Sequence, residues 1–249
     1  MDTIQEEKAK LLESLIAPAM EYANKGNYRK SINLLEKTAQ NYRNDLDVYY
    51  TIQIQLAVIL GQLKRDKEAL DKFRSIPKYG DKSVYLEAQR WLGDFFIHRK
   101  RWKDLENLHN ELKNIELTPD LRIMLGRFLG ELKRYDEAIM LLSPISRTDG
   151  ISYAIAKTNQ MVLANRNKDY NKVIILSHML SPNDDIELYG KSRLNLANAL
   201  LKLKKKQEAF NVLISINKNG TEPRLYSEAQ YMLWCKFPIK TLFYKIGLN

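Results

Sequence analysis

The chain has 249 residues, with 40 Lys plus Arg against 30 Asp plus Glu, giving a formal charge of +10 at pH 7. Its 45% hydrophobic and 28% charged residues supply enough apolar side chain for a core, which excludes global disorder. Only 10 Gly and 7 Pro interrupt stretches rich in Leu, Lys, Glu, Ala and Ile, and the single cysteine, Cys235, excludes an internal disulfide and argues against a Cys-based zinc site.

Taken from the start, residues 1–10 mix acidic and basic side chains where a secretory signal needs a basic start followed by an apolar block, so a soluble, cytoplasmic protein is expected. The apolar run from Ile52 to Leu63 is broken by Gln53, Gln55 and Gln62 and falls short of the roughly 20 residues of a membrane span. Amphipathic helical patterns then follow one another along the chain. Polar turns, often holding an aromatic, run into a small or apolar residue that opens a helix: Gly26 to Ser31, Arg65 to Ala69, Lys100 to Leu105, Lys133 to Ala138, Lys168 to Val173 and Lys204 to Ala209. The six anchors, Ser31, Ala69, Leu105, Ala138, Val173 and Ala209, are 38, 36, 33, 35 and 36 residues apart. Upstream of each lies another amphipathic stretch, clearest in Arg90 to Phe96 and Arg122 to Leu129.

Spacing within each unit assigns the buried face. Ala19, Ala57, Gly93, Gly126 and Ala197 fill a small-residue slot in the first helix, with Met161 in the fifth unit. Leu35, Phe73, Leu142 and Leu213 stand four residues after the anchor in the second helix, a spacing that puts them on one face. The steps bracket about 34 residues, the tetratricopeptide period, and Leu92-Gly93 and Leu125-Gly126 resemble that family's Leu-Gly core. The chain thus resembles tetratricopeptide or closely related helical-hairpin repeats over roughly residues 11–220, most specifically from Asp120 to Ser146. The resemblance implies an all-α, right-handed superhelical solenoid of about six antiparallel helix pairs. The expected organisation is a repeat array over 1–221 and a capping helix with a tail over 222–249. In the cap, Trp234 replaces the residue equivalent to Gly93, no complete second helix is expected, and the tail is expected to fold back on the cap rather than to touch a partner or membrane surface.

No catalytic constellation emerges. His98, His109 and His178 lie in different helices without metal-ligand spacing and are expected at turns or on the surface; Cys235 is expected to be a buried structural thiol in the apolar cap. Gly61, Gly93, Gly126 and Gly130 form no phosphate cradle. No catalytic residue, cofactor or metal site is assigned, and a non-catalytic scaffold or adaptor is the leading expectation.

What the resemblance implies for function is a concave groove lined by the first helices of successive pairs. In units three to six, counting from the small slot places Arg90, Asp94, Arg127, Asn159, Arg166, Lys191, Asn195, Asn198 and Lys202 in it, a polar and basic lining suited to a peptide backbone or carboxylate. Asn159 and Lys191 match two positions of the family's carboxylate clamp, but Arg127, Ile123 and Asn195 depart from it, too partial a match for a chaperone adaptor. In the front half Ile16, Met20, Ile54, Gln55 and Val58 occupy the equivalent rows, a surface for an apolar helix or for self-association. A protein or peptide, acidic by charge complementarity, is the expected partner. A basic accessory protein that binds RNA or DNA through Lys64-Arg65, Arg99 to Arg101 and Lys202 to Lys206 is the alternative, as is a positioning subunit of an enzyme complex; an AT-rich coding sequence would produce the same Lys-, Asn- and Tyr-rich composition.

Overall fold

The computed structural model describes residues 2–216 and 222–245. Among the described residues the chain is all-helical, with fourteen α-helices, one 3-10 turn at Arg147–Asp149 and no strand. It divides into two compact units, Met1–Leu121 and Arg122–Asn249.

The first unit holds α1 (Asp2–Asn24), α2 (Tyr28–Asn41), α3 (Leu46–Gln62), α4 (Asp66–Arg74), α5 (Lys82–His98), α6 (Trp102–Leu112) and the start of α7 (Pro119–Glu131). Each of α1 to α5 packs on the helix after it, and α3 also packs on α1 and α5. Beyond the boundary within α7 come α8 (Tyr135–Leu142), α9 (Ile151–Arg166), α10 (Tyr170–Ser177), α11 (Ile186–Lys202), α12 (Lys206–Ile214), α13 (Pro223–Lys236) and α14 (Pro238–Lys245). There the same order recurs: neighbours pack in sequence, while α11 also touches α9 and α13.

One backbone device ends six of these helices. Gly26, Lys64, Lys100, Lys133, Lys168 and Lys204 adopt positive φ between 53° and 76°, and each stands five residues before one of the anchors. At every one, two amides turn back to carbonyls of the helix just ended; at Lys64 these bonds are Lys64 N to Gly61 O (3.0 Å) and Arg65 N to Leu60 O (2.9 Å). This left-handed cap satisfies carbonyls that a helix end leaves open and reverses the chain within a few residues. The starts of α3, α5 and α11 use aspartate instead. The side chains of Asp45, Asp81 and Asp185 accept from the amides of Val48, Val84 and Leu188 at 3.3, 3.2 and 2.7 Å.

Behind the turns, all six anchors are completely buried. So are Ala19, Ala57, Ala197 and Met161 in the small slot, and Leu35, Leu142 and Leu213 in the large one. Sequence spacing and packing meet most directly at Gly126, where an added Cβ would come within 3.1 Å of Leu142: the absent side chain lets α7 and α8 close on each other. Each large buried side chain contributes roughly 1.5–3 kcal/mol by leaving water, so this repeated face supplies most of the folding drive.

Two large slots are polar. His109 on α6 and Ser177 on α10 stand four residues after Leu105 and Val173 and are buried. For His109 this corrects the expectation of a turn or surface position; the anchor spacing that buried its counterparts turns it inward as well.

At the carboxyl end, α14 packs against α13. Phe237 and Thr241 are buried, Phe237 and Tyr244 lie edge-on to Phe210 at 5.4 and 6.3 Å, and Lys240 reaches Gln207, so residues 237–245 fold back on α12 and α13. A short helix of eight residues follows the cap, where no complete second helix is expected. Trp234 stays 44% exposed. Cys235 is exposed as well, correcting the expected buried thiol. Its hydrogen bond with Tyr231 pushes that phenol above its ordinary value. Residues 246–249 of the tail lie outside the described residues.

Candidate functional site

Each unit carries an open cleft between two neighbouring helices. In the first unit, α3 and α5 enclose about 350 Å³ lined by Ala57, Val58, Trp91 and Phe95, with Phe73 of α4 at its floor. Gly61 makes room: an added Cβ there would lie 3.3 Å from the Phe95 ring. The Trp91 indole donates to Glu87 at 2.7 Å, which fixes its polar edge. Arg90 stacks over Trp91 at 4.2 Å while binding Glu87 at 2.6 Å and Asp94 at 3.5 Å. Arg90, expected in the partner-binding groove, is thus held by its own helix, and the Glu87 bond raises its pKa further.

One end of this cleft is closed by Arg99. Its guanidinium grips Asp66 at 2.9 Å, donates to the Gly61 carbonyl at 2.6 Å and lies over Phe95 at 5.3 Å. The same hydrogen bonds hold the Asp66 carboxyl below the usual carboxylate range. His98 and Lys64 complete the rim. Of the front-row residues, Val58 lines the cleft, and Ile16, Met20 and Gln55 are half-buried. Ile54 is not on this surface. It is buried, because α3 is apolar nearly all round and packs on neighbours on several sides.

In the second unit, α11 and α13 enclose about 380 Å³ of polar cleft, lined by Lys191, Asn195 and Asn198 together with Glu187, Glu222, Arg224 and Glu228. Lys191 pairs with Glu187 one turn before it. The Asn195 amide donates to the Lys191 carbonyl at 3.0 Å and accepts from Asn165 of α9 at 3.1 Å. Asn195 therefore braces two helices, whereas Asn198 is exposed in the cleft. Leu194 and Leu225 form its apolar base. Three carboxylates stand against Lys191 and Arg224, so the lining is not the basic one that counting along the first helices gives. The difference comes from Glu228 of α13 and Glu222 at its N-cap, which lie outside the first helices of units three to six.

The other expected groove residues do not line this cleft. Arg127 is exposed on α7, Asn159 is half-buried on α9, Arg166 pairs with Glu131 at 3.2 Å, and Lys202 is exposed at the end of α11. Asn159, one half of the clamp-like pair, is thus not brought beside Lys191 in that pocket.

Sequence reading missed Lys157, a buried lysine on α9. Its ammonium lies 5.3 Å from the Tyr153 ring and 3.3 Å from the Gln160 side-chain oxygen, and burial lowers its pKa. Gln160 in turn donates to Ile139 O and Ser143 Oγ of the preceding helix region at 2.9 and 3.1 Å. A polar knot results inside the core, without a cleft leading to it among those described.

Among the described residues no group of three or more His, Cys, Asp or Glu is arranged to hold a metal, and no helix is long and apolar enough to cross a membrane. No protein-family model matches the chain, and no curated protein does.

Proposed function

We propose that the chain is a tetratricopeptide-like solenoid of six antiparallel helix pairs, right-handed and capped by α13, that works as a cytoplasmic, non-catalytic scaffold for a protein or peptide. The observation that carries this reading is the open cleft between α11 and α13, where Lys191, Asn198, Arg224 and Glu228 present directed donors and acceptors around an apolar base. Such a lining recognises an extended backbone by hydrogen bonds and its side chains by charge. The apolar cleft between α3 and α5 gives the same partner, or a second segment, a hydrophobic anchor point.

Site-specific photocrosslinking in the native cell tests it. A benzophenone side chain at Asn198 or Val58 is expected to capture a discrete protein, and one at Tyr79, 96% exposed and away from both clefts, is not. Equal capture from all three positions, or none from the clefts, rejects the proposal. Arg224→Ala is expected to weaken capture at Asn198 while leaving the melting temperature unchanged, since Arg224 is an exposed rim residue.

A further inference from the structure

Five of the six left-handed turns hold a lysine where the backbone favours glycine. A residue with a Cβ is strained in that conformation, whereas glycine meets no such clash and gives up only some chain freedom on folding. Glycine would thus be neutral or better for stability at Lys64, Lys100, Lys133, Lys168 and Lys204. Gly26, in the same geometry, carries no charge.

The residues around each lysine show what is left after local pairing. Next in sequence stand Arg65, Arg101, Arg134 and Lys205, and each is paired to the acid three residues on, Glu68, Asp104, Glu137 and Glu208, at 2.6, 2.7, 2.5 and 3.3 Å. The fifth turn has Asp169 there, which caps Lys172. In the second unit Glu131 is bound by Arg166 and Asp136 by Asn167, at 3.2 Å each. Those two bonds also tie the Lys133 turn to the Lys168 turn, and α9 packs on α11, at whose end Lys204 stands. Lys133, Lys168 and Lys204 are all exposed, and none is ion-paired to another of the described residues. Packed helix axes lie roughly 8–10 Å apart, so the three linked turns follow one another in a row at about that step. Positive charge rises along it, and between Lys202 and Glu208 four lysines face one glutamate.

We propose that this row, Lys133, Lys168 and Lys204, is a binding edge for the phosphodiester backbone of a nucleic acid. A linear polyanion matches a linear row of single cations, and each contact releases counterions. A bilayer surface fits less well, because a membrane-seated edge needs apolar side chains to insert and none of the exposed large hydrophobic residues lies in these turns. The aromatics that follow the lysines, Tyr135 and Tyr170, are half-buried, so contact is to the backbone and carries no base sequence. This edge is separate from the cleft between α11 and α13, and its failure leaves the peptide reading standing.

The test uses the full chain and a triple Lys133→Gly, Lys168→Gly, Lys204→Gly variant, titrated with an oligouridylate and with a DNA duplex across a salt series. Wild type is expected to bind one or both, with log K falling linearly in log salt. The variant is expected to lose about 2 from the slope on the single strand, or nearly 3 on the duplex, since about 0.7 or 0.9 of a counterion is released per contact. Because glycine suits these turns, its melting temperature should equal or exceed the wild type, which separates lost charge from lost fold. Absence of saturable binding at low salt, an unchanged slope in the variant, or binding to phosphatidylserine vesicles without binding to either nucleic acid would overturn the proposal. A Lys64→Gly, Lys100→Gly variant of the first unit, expected to leave the second-unit slope contribution in place, guards against a general effect of net charge.

Discussion

Each cleft lies between two helices, α3 and α5 or α11 and α13, yet one is walled by Val58, Trp91 and Phe95 and the other by Lys191, Asn198 and Glu228. Packing of one helix beside another leaves an opening in both units, and a few side chains on its walls decide what chemistry it offers. The apolar cleft is floored by the core itself, through Phe73, whereas the polar one sits above Leu194 and Leu225 and takes its charge from rim residues. Damage to the walls should therefore cost folding in the first unit and mainly recognition in the second.

Phe73→Ala is the largest expected break in that comparison. Phe73 is buried and meets Phe95 at 6.4 Å, so truncation should destabilise the first unit by about 3–5 kcal/mol in denaturant unfolding. A loss under about 1 kcal/mol would mean that the floor is not core. On the polar side, Asn195→Ala removes the brace to Asn165 and should cost about 1 kcal/mol, whereas Asn198→Ala should stay within about 0.5 kcal/mol. Equal costs at the two asparagines would erase the distinction between bracing and recognition.

Lys157→Met sharpens the contrast from inside the second unit. Burial lowers the folded pKa of Lys157 below its ordinary 10.5, so over the interval between the two values the unfolded chain binds more protons and wild-type stability rises with pH. Methionine should abolish that alkaline rise and, at neutral pH, raise the melting temperature by about 2–4 °C, the equivalent of about 1 kcal/mol for a chain of this size. Persistence of the rise in the variant would assign it to another group. Gly26→Lys is a small effect as well: it places in the first turn what the other five already have, and should cost about 1 kcal/mol or less.

Much of this architecture is legible in the sequence because its slots are spaced by helix geometry. The anchors, the small slot opposite Leu142 and the reversal five residues before each anchor all follow from a repeated pattern of residue size. Ile54 is harder, because α3 is apolar on every side and periodicity cannot say which side faces out. His109 carried a usable signal, its spacing from Leu105, which its polar character obscured. Lys157 carried none: a lysine reads as surface until Tyr153 and Gln160 are seen around it. The polar cleft was half legible, since Lys191, Asn195 and Asn198 fall one turn apart along one helix, while its acidic wall comes from α13, outside the repeat count. Left-handed lysines leave no mark in composition, and only the φ angles separate them from the other basic residues of the turns.

The polar large slots have a mechanical consequence. Where α2, α4, α8 and α12 plug into their neighbours with Leu35, Phe73, Leu142 and Leu213, α6 offers the His109 imidazole and α10 only the Ser177 hydroxyl, turned to its own helix at Ile174. A chain whose helices lean mainly on adjacent ones has no distant core to rescue a poorly seated rung. One such slot lies in each compact unit, and amide exchange at α6 and α10 is expected to run ahead of global melting while the flanking helices still hold their protons.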